Sequence, residues 1–333
     1  MKLFSPTQNA ALLDQLASSA FETDWGTRSV GAGSSGYDPG SYAKGSVWAV
    51  GTSSLAEAFW FENRPATALG LWRALLPWSQ LDSPGHMHEV LAGDLYRPQG
   101  ESVPEQTWSS AGFLHATVQG LLGLTVDGLD RRITFAPHLP AEWSGLSVEN
   151  IRVGNASVGL VLHRTAQGLT LSIDNGGNDL RLVFAPELPL GAHLGAAKLA
   201  DKPIPAALES HPQETDARVV FTAPHGKSEL RIGYDGGVSV IAVPPMPKLG
   251  EASSGVHIIG IKLAGNVLTI DADVRADRAS HLRVQSTWHV ASVVGADWVG
   301  MGNDMVELTI GNVGDPAVAG PYHHVAVKVQ FKP

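Results

Sequence analysis

Three polar segments in the first third of the chain hold the residue types that could do chemistry. Residues 38–48 read Asp-Pro-Gly-Ser-Tyr-Ala-Lys-Gly-Ser-Val-Trp, residues 85–94 read Gly-His-Met-His-Glu-Val-Leu-Ala-Gly-Asp, and residues 104–111 read Pro-Glu-Gln-Thr-Trp-Ser-Ser-Ala. The middle segment places one carboxylate, Glu89, in a loop rich in glycine, proline and histidine. A carboxylate held beside a water molecule can act as the general base of a hydrolysis, so Glu89 is the candidate catalytic residue.

Tryptophan is concentrated around these segments, and an indole ring can stack on the C–H face of a sugar. Six of the nine tryptophans lie in the first third of the chain: Trp25, Trp48, Trp60, Trp72, Trp78 and Trp108. Trp60 and Trp72 fall on helical apolar stripes, which indicates core positions. Trp25, Trp48 and Trp108 lie at junctions between loops and helices, so they are predicted to contact substrate.

Polar side chains near the same segments could hydrogen-bond sugar hydroxyls. The predicted substrate-binding set is completed by Arg28, Tyr42, His88, Asp94 and Gln106. Several have simpler alternatives, because Gly93-Asp94 also suits an ordinary turn and Gln106 also suits a helix N-terminus.

A metal site is the other chemistry that this region suggests. His86, His88 and Glu89 could bind a metal ion, but further ligands at a recognisable spacing are missing. The sequence therefore predicts no metal and no cofactor.

Composition limits the class of protein and of partner. The chain has 333 residues, 44% hydrophobic and 17% charged, with a net charge of −9 and no cysteine. Lys and Arg are scattered, which argues against a nucleic-acid partner, because that binding needs a basic face. No apolar run reaches the roughly 18 residues that span a bilayer, so no membrane partner is predicted. The compartment, cytoplasmic or exported, is not fixed by these features.

The elements that must position these residues change type near residue 125. Before it, apolar residues recur at helical spacing over residues 7–19, 46–62, 65–79 and 105–122. The loops between them, residues 24–45 and 81–104, are long and rich in glycine, serine and proline. Loops of that length without structure are uncommon in compact domains and usually functional.

After residue 130 the pattern becomes short alternating strands, which predicts β-sandwiches. Predicted strands are residues 133–135, 146–153, 156–164, 169–174, 180–185, 218–221, 228–234, 257–263, 267–274, 281–285, 290–294, 305–309 and 324–331. The proline-rich residues 238–248 are predicted to be a linker. The predicted fold is α+β multidomain, with helices of a partial (α/α)6 toroid at residues 1–128, a β-sandwich at 129–240 and a second small β-sandwich at 241–333.

The helical third carries an ordered set of motifs that resembles a glycosidase group. The set is Trp25-Gly26-Thr27-Arg28, then Tyr37-Asp38-Pro39-Gly40-Ser41-Tyr42, Gly45-Ser46-Val47-Trp48, His88-Glu89-Val90 and Gln106-Thr107-Trp108-Ser109. It resembles the end of the catalytic (α/α)6 barrel in bacterial glycogen-debranching (amylo-α-1,6-glucosidase-like) enzymes and the related glucosidase and trehalase families. The resemblance covers roughly residues 5–125, and it departs from the family at Ala43, Ala49 and His88.

The resemblance implies an inverting hydrolysis of α-glucosidic linkages in oligo- or polysaccharides. Glu89 takes the position of the general base, while the family's Asp general acid belongs to an earlier helical hairpin. Only about four helices precede the β part, so the chain is expected to be the C-terminal part of a longer glycosidase, a fragment that is inactive alone. Its partners would be a carbohydrate and the missing N-terminal part of the barrel. The alternative is a non-catalytic carbohydrate-binding or structural module.

Overall fold

The computed structural model describes residues 4–312, 314 and 321–332, and its α-helices all lie in the first third of that part of the chain. They are α1 (Pro6–Leu16), α2 (Ala49–Phe61), α3 (Pro65–Ala74) and α4 (Thr107–His115). A 3-10 turn at Leu76–Gln80 follows α3, and a π-helical turn at Ala116–Leu121 follows α4. No helix in the described residues is long and apolar enough to cross a membrane.

Local sequence explains where the helices begin and end. Ser5 caps α1, since its hydroxyl accepts from the Gln8 amide while the Gln8 side chain accepts from the Ser5 amide. Pro65 opens α3 at the first position, where a missing N–H costs nothing. The predicted helix over 65–79 stops at residue 74, because Pro77 cannot donate to an α-helical ladder and the chain tightens into the 3-10 turn.

Four two-residue strands lie among the loops of the helical region. They are β1 (Glu22–Thr23), β2 (Gly26–Thr27), β3 (Val47–Trp48) and β4 (Val90–Leu91). β1 pairs with β2, and β3 pairs with β4, both antiparallel. The β3–β4 pair matters for the site, because Trp48 lies opposite Val90, the residue that follows Glu89.

The middle of the chain forms a β-sandwich of two six-stranded sheets. Its strands are β5 (Leu124–Asp127), β6 (Arg132–Phe135), β7 (Gly145–Val153), β8 (Ala156–Thr165), β9 (Gly168–Asn175), β10 (Leu180–Phe184), β11 (Glu187–Leu188), β12 (His193–Leu199), β13 (Lys202–Ile204), β14 (Ala207–Ser210), β15 (Thr215–Ala223) and β16 (Gly226–Asp235). One sheet has the order β11-β15-β10-β6-β5 with β14 beside β15, and the other has the order β13-β12-β16-β9-β8-β7.

Alternating side chains build the core of this sandwich. On β8, Val158, Leu160 and Leu162 are buried, while the residues between them face outward. The opposite sheet contributes Phe135 and Phe184, whose rings stack with centroids 5.8 Å apart. β12 was absent from the sequence prediction, because its His-Leu-Gly-Ala-Ala-Lys-Leu sequence carries few large apolar residues.

The C-terminal part holds two four-stranded sheets. Its strands are β17 (Val238–Ile241), β18 (His257–Ala264), β19 (Val267–Arg275), β20 (Ser280–Ser286), β21 (His289–Val294), β22 (Asp297–Gly302), β23 (Met305–Ile310) and β24 (Tyr322–Lys332). The sheet orders are β17-β20-β23-β22 and β18-β19-β24-β21. The predicted linker at 238–248 is wrong over its first four residues, because the β-branched Val-Ser-Val-Ile run forms β17. The described chain is thus a β-rich, multi-sheet protein.

The chain divides into two compact units. One combines Met1–Thr117 with Val240–Val284 and Val290–Phe331, and the other comprises Val118–Ser239 with Gln285–His289 and Lys332–Pro333. In the first unit α3 lies on β18, where Thr67 Oγ1 donates to the Ile258 carbonyl at 2.9 Å. The Arg64 guanidinium donates to the Ile259 carbonyl at 3.4 Å and pairs with Asp14 at 2.6 Å. These four helices do not show the partial (α/α)6 toroid that the sequence predicted.

A cluster of ionisable side chains is buried in the middle sandwich. His138 Nε2 lies 2.9 Å from Glu214 Oε1, and His138 Nδ1 lies 2.9 Å from the Gly120 carbonyl oxygen. Burial lowers the pKa of His138, but the hydrogen bond and charge of Glu214 outweigh burial and raise the pKa to about 9. Burial and the charge of Glu214 raise the pKa of Glu187 to about 7 and that of Asp216 to about 8.

This cluster predicts a sandwich that loses stability as pH rises. All three folded-state pKa values lie above those of the unfolded chain, so the folded sandwich holds protons that the unfolded chain releases. Glu187 and Asp216 stabilise the folded sandwich fully below about pH 4, and His138 does so below about pH 6.5. As pH rises, this stabilisation is lost near pH 7 for Glu187, pH 8 for Asp216 and pH 9 for His138. Calorimetry of the full chain should show the unfolding temperature falling by roughly 5 °C or more from pH 5 to pH 9.

The control separates His138 from general charge effects. His138→Gln should lower the unfolding temperature at pH 5 and flatten its decline, whereas His163→Gln, at an exposed position on β8, should change neither. An unfolding temperature that rises with pH over this range would contradict the assignment.

Candidate active site

Arg28 anchors the loops that surround Glu89. Its Nε donates to the Gly93 carbonyl at 2.6 Å, and its Nη1 donates to the carbonyls of Ser19, Ala20 and Glu22 at 2.7, 3.2 and 3.3 Å. Burial lowers the pKa of the guanidinium, which nearby Tyr37 partly offsets. Arg28 was predicted to bind substrate, but here its donors serve backbone carbonyls. Its role is to tie residues 19–28 to the loop that follows Glu89.

Trp25 lies in the core and offers no face to a ligand. Its ring is fully buried, its Nε1 donates to the Ala92 carbonyl at 2.9 Å, and it packs at 5.8 Å against the ring of Tyr96. Trp78 is also fully buried and donates to the Trp25 carbonyl at 2.8 Å. The structure therefore corrects the predicted contact of Trp25 with substrate. The position of Trp25 between a loop and a helix could not reveal that Ala92 and Tyr96 cover its ring.

Two glycines let these loops approach one another closely. A Cβ on Gly93 would lie 2.0 Å from the Gly45 carbonyl oxygen, so no larger residue fits there without movement of the backbone. Gly26 has a φ of 131°, and a Cβ on it would lie 2.4 Å from Thr52 Oγ1. Both glycines belong to the motifs picked out in the sequence, and both are required by packing.

Glu89 is buried and hydrogen-bonded to Tyr42. The Tyr42 hydroxyl donates to Glu89 Oε1 at 2.7 Å, and the Glu89 amide donates to the Val103 carbonyl at 2.9 Å. Among the described residues no hydrogen bond to Glu89 Oε2 is formed, which leaves that oxygen for a water molecule. The hydrogen bond to Glu89 is the largest influence on Tyr42 and raises the pKa of its hydroxyl to about 12.

Aromatic rings extend from Tyr42 toward solvent. Tyr42 meets Trp48 edge-to-face with centroids 4.6 Å apart, and Trp48 lies 6.2 Å from Trp108. Trp48 Nε1 donates to the Tyr42 carbonyl and to Ser46 Oγ, both at 3.1 Å, which fixes its ring. Trp108 is 48% exposed, so its face is open to a ligand. Glu89, Tyr42, Trp48 and Trp108 thus form one continuous cluster, called here the aromatic–carboxylate cluster.

His88 holds the Glu89 loop in place. Its Nε2 is paired with the Asp82 carboxylate, and its Nδ1 lies 3.3 Å from Ser102 Oγ, which also accepts from the Val90 amide at 3.1 Å. With both ring nitrogens engaged by the protein, His88 is a positioning residue in this structure and not the predicted substrate donor. The sequence reasoning missed Asp82 and Ser102, since each is only an ordinary loop residue until the fold brings it to His88.

The remaining predicted residues lie at the edge of the cluster. Gln106 is half-buried, and its amide donates to the Met87 carbonyl at 2.9 Å, which joins the start of α4 to the Glu89 loop. Asp94 is exposed and lies 4.0 Å from an Arg97 nitrogen. His86 is exposed and pairs with Glu105 at 3.4 Å. In the part of the chain that the structure describes, no group of three or more His, Asp or Glu side chains is arranged to hold a metal ion.

The role of Arg28 can be tested by its effect on stability. Arg28→Met should lower the free energy of unfolding by on the order of 2–4 kcal/mol, because several carbonyls lose a charged donor. Arg97→Met is the matched control, since Arg97 is exposed, and its effect should stay within about 0.5 kcal/mol. Urea denaturation followed by tryptophan fluorescence measures both, and equal effects of the two variants would refute the anchoring role.

The Tyr42–Glu89 hydrogen bond predicts a specific titration. NMR of ¹³C-labelled tyrosine should show the Tyr42 signal, identified by its loss in Tyr42→Phe, titrating near pH 12. In Glu89→Gln the carboxylate acceptor and its charge are gone, so the pKa should fall toward 10. A Tyr42 pKa that does not respond to Glu89→Gln would show that the two side chains are not hydrogen-bonded in solution.

Comparison with known proteins gives remote likenesses. No protein-family model matches the sequence, and a search of curated proteins gives no match. An α-L-rhamnosidase from Dictyoglumus thermophilum is similar in structure at a TM-score of 0.37 and 14% identity, over 58% of this chain and 21% of that one. A β-L-arabinofuranosidase from Geobacillus stearothermophilus aligns at a TM-score of 0.37 and 8% identity, over 96% of this chain and 55% of that one.

A third structure, described as a glycoside hydrolase, aligns at a TM-score of 0.34 and 10% identity, over 87% of this chain and 52% of that one. The chain thus spans 21–55% of the length of these three proteins. TM-scores below 0.5 carry no functional argument, so the function must be inferred from this chain's own side chains.

Proposed function

We propose that this chain is part of a glycoside hydrolase in which Glu89 is the general base. The observation that carries the proposal is the aromatic–carboxylate cluster, in which a buried carboxylate lies at one end of a row of rings that reaches solvent. A sugar stacked on the exposed Trp108 would lie against the same row of rings that ends at Glu89. The substrate is an α-glucosidic linkage in an oligo- or polysaccharide, as the motif resemblance implies.

The chemistry proposed for the cluster is inversion by an activated water. Tyr42 holds Glu89 Oε1, so Oε2 is directed to accept a proton from the water as it attacks the anomeric carbon. The carboxyl that protonates the leaving oxygen would stand about 6.5–9.5 Å from Glu89. We assign that acid to helices beyond these 333 residues, with which α1–α4 would complete an (α/α)6 toroid. Apolar side chains on these helices support a helical neighbour, since Phe61 and Leu114 are 72% and 61% exposed.

The hydrolysis assay tests this assignment. The 333-residue chain alone should show no turnover of aryl α-glucosides, maltose or trehalose, because the general acid, worth about 10²–10⁴-fold, is missing. A longer chain that adds the preceding helices should hydrolyse at least one of them. In that longer chain Glu89→Gln should lower kcat by at least about 10²-fold, and Glu105→Gln, at an exposed carboxylate nearby, should not.

Two results would contradict the proposal. Turnover that survives Glu89→Gln would remove Glu89 from the reaction, and a longer chain without turnover would favour the alternative of a carbohydrate-binding module. The exposed Trp108 supports glycan binding in either case, so quenching of tryptophan fluorescence by maltooligosaccharides, lost in Trp108→Ala, would identify a binding function that remains without hydrolysis.

A further inference from the structure

An open groove crosses the outer face of the β13-β12-β16-β9-β8-β7 sheet. Its volume is about 940 Å³, and residues of β7, β8, β9, β12 and β16 line it. Volumes of this size are typical of ligand sites. The opposite face of the same strands packs into the sandwich core, so the groove is lined mainly by outward-facing residues, and Ile173 of the core also borders it.

The floor of the groove is made of small side chains. Gly159 lies opposite Asp174, and Val161 lies opposite Ser172, on the neighbouring strands β8 and β9. A Cβ placed on Gly159 would meet only the Asp174 Cβ, at 3.8 Å, so the fold itself does not demand glycine there.

Irregular backbone occurs in two of the segments that line the groove. On β7 the register shifts between Val148 and Ile151, and Asn150 in this bulge has a φ of 59°. Beyond β12, Ala200 and Asp201 have φ values of 47° and 64° in the turn that leads to β13. Ala200 and Asp201 form the two-residue turn of the β12–β13 hairpin, in which positive φ values at both positions are usual. Asn150, Ala200 and Asp201 all line the groove.

The charges of the lining nearly cancel. The carboxylates are Glu149, Asp174, Asp201 and Glu229, and the cations are Lys198, Lys227 and Arg231. Arg231 is occupied within the wall, at 2.6 Å from Glu229 and 3.3 Å from Asp201. Within the described residues Lys198, Lys227, Glu149 and Asp174 form no salt bridge, so donors and acceptors both remain for a ligand.

We propose that this groove binds a neutral, polyhydroxylated chain, that is, a strand of an uncharged polysaccharide. Each sugar hydroxyl both donates and accepts, which matches free ammonium donors beside free carboxylate acceptors. A near-neutral lining gives no attraction to nucleic acid or to other polyanions. A peptide strand would pair with a sheet edge, whereas this groove crosses the face. Among the residues that the structure describes, no aromatic side chain lines the groove, so binding would rest on hydrogen bonds and shape.

Affinity gel electrophoresis of the full chain tests the groove. Soluble starch, dextran, arabinan and xyloglucan are cast separately into native gels, and retarded migration reports binding. At least one polymer should retard the wild-type chain, and Gly159→Leu should weaken that retardation at least tenfold because the side chain fills the floor. Thr222→Leu, at an exposed position on β15 in the other sheet, is the matched control and should migrate as the wild type does.

A double variant separates a loss of binding in the groove from a folding defect and from the proposed hydrolase activity. Asp174→Ala with Lys227→Ala removes an acceptor and a donor from exposed positions, and it should weaken retardation while the circular dichroism spectrum is unchanged. The groove does not rest on the proposed function, because Glu89, Tyr42, Trp48 and Trp108 are not among its lining residues. No retardation by any neutral polymer, equal retardation of Gly159→Leu, or stronger retardation by polygalacturonate would each overturn the proposal.

Discussion

The positioning of Glu89 depends on buried charges that bind backbone instead of opposite charges. The Arg28 guanidinium joins the carbonyls of Ser19 and Gly93, and Gly93 lies four residues after Glu89. Asp24 is an acceptor where Arg28 is a donor. Its carboxylate accepts hydrogen bonds from the amides of Ser254 and Gly255 at 2.6 and 2.9 Å. The loop that contains Asp24 is thereby fixed to the segment that precedes β18 in the same unit.

This arrangement explains how long irregular loops can hold a site precisely. A buried carbonyl without a donor is costly, so a loop can enter the interior only where side chains satisfy it. Arg28 satisfies several carbonyls at once because its donors are spread over a rigid plane. Lysine could not do so with the same geometry. The result is a Glu89 loop whose position is set by contacts distant in sequence, as the catalytic role proposed for Glu89 would require.

Sequence patterns located the elements better than they assigned roles. Helical spacing found the segments of α1–α4, and the motif order found the residues of the aromatic–carboxylate cluster. The roles of Trp25, Arg28 and His88 could not be read from local sequence, because their partners are distant in sequence or lie in irregular loops. Trp25 is covered by Tyr96, Arg28 donates to the Gly93 carbonyl, and His88 pairs with Asp82. The strand β22 was also missed. It is exposed along its whole length, and its apolar residues Trp298, Val299 and Met301 do not alternate with polar ones as in a half-buried strand.

The two candidate glycan surfaces differ in the physics that each task needs. A general base must sit in a defined place with little water, and Glu89 is accordingly 5% exposed and held by Tyr42. Stacking on Trp48 and Trp108 would position a sugar ring without adding charge that competes for the proton. A surface that only retains a chain has no such need, so the groove beside Gly159 can be open, wet and free of aromatic rings. A hydrogen bond that replaces one to water contributes little to affinity. A polysaccharide chain held by many such hydrogen bonds can therefore still move along the groove. Tight stacking therefore suits the proposed reaction site, and loose polar contact suits the proposed groove.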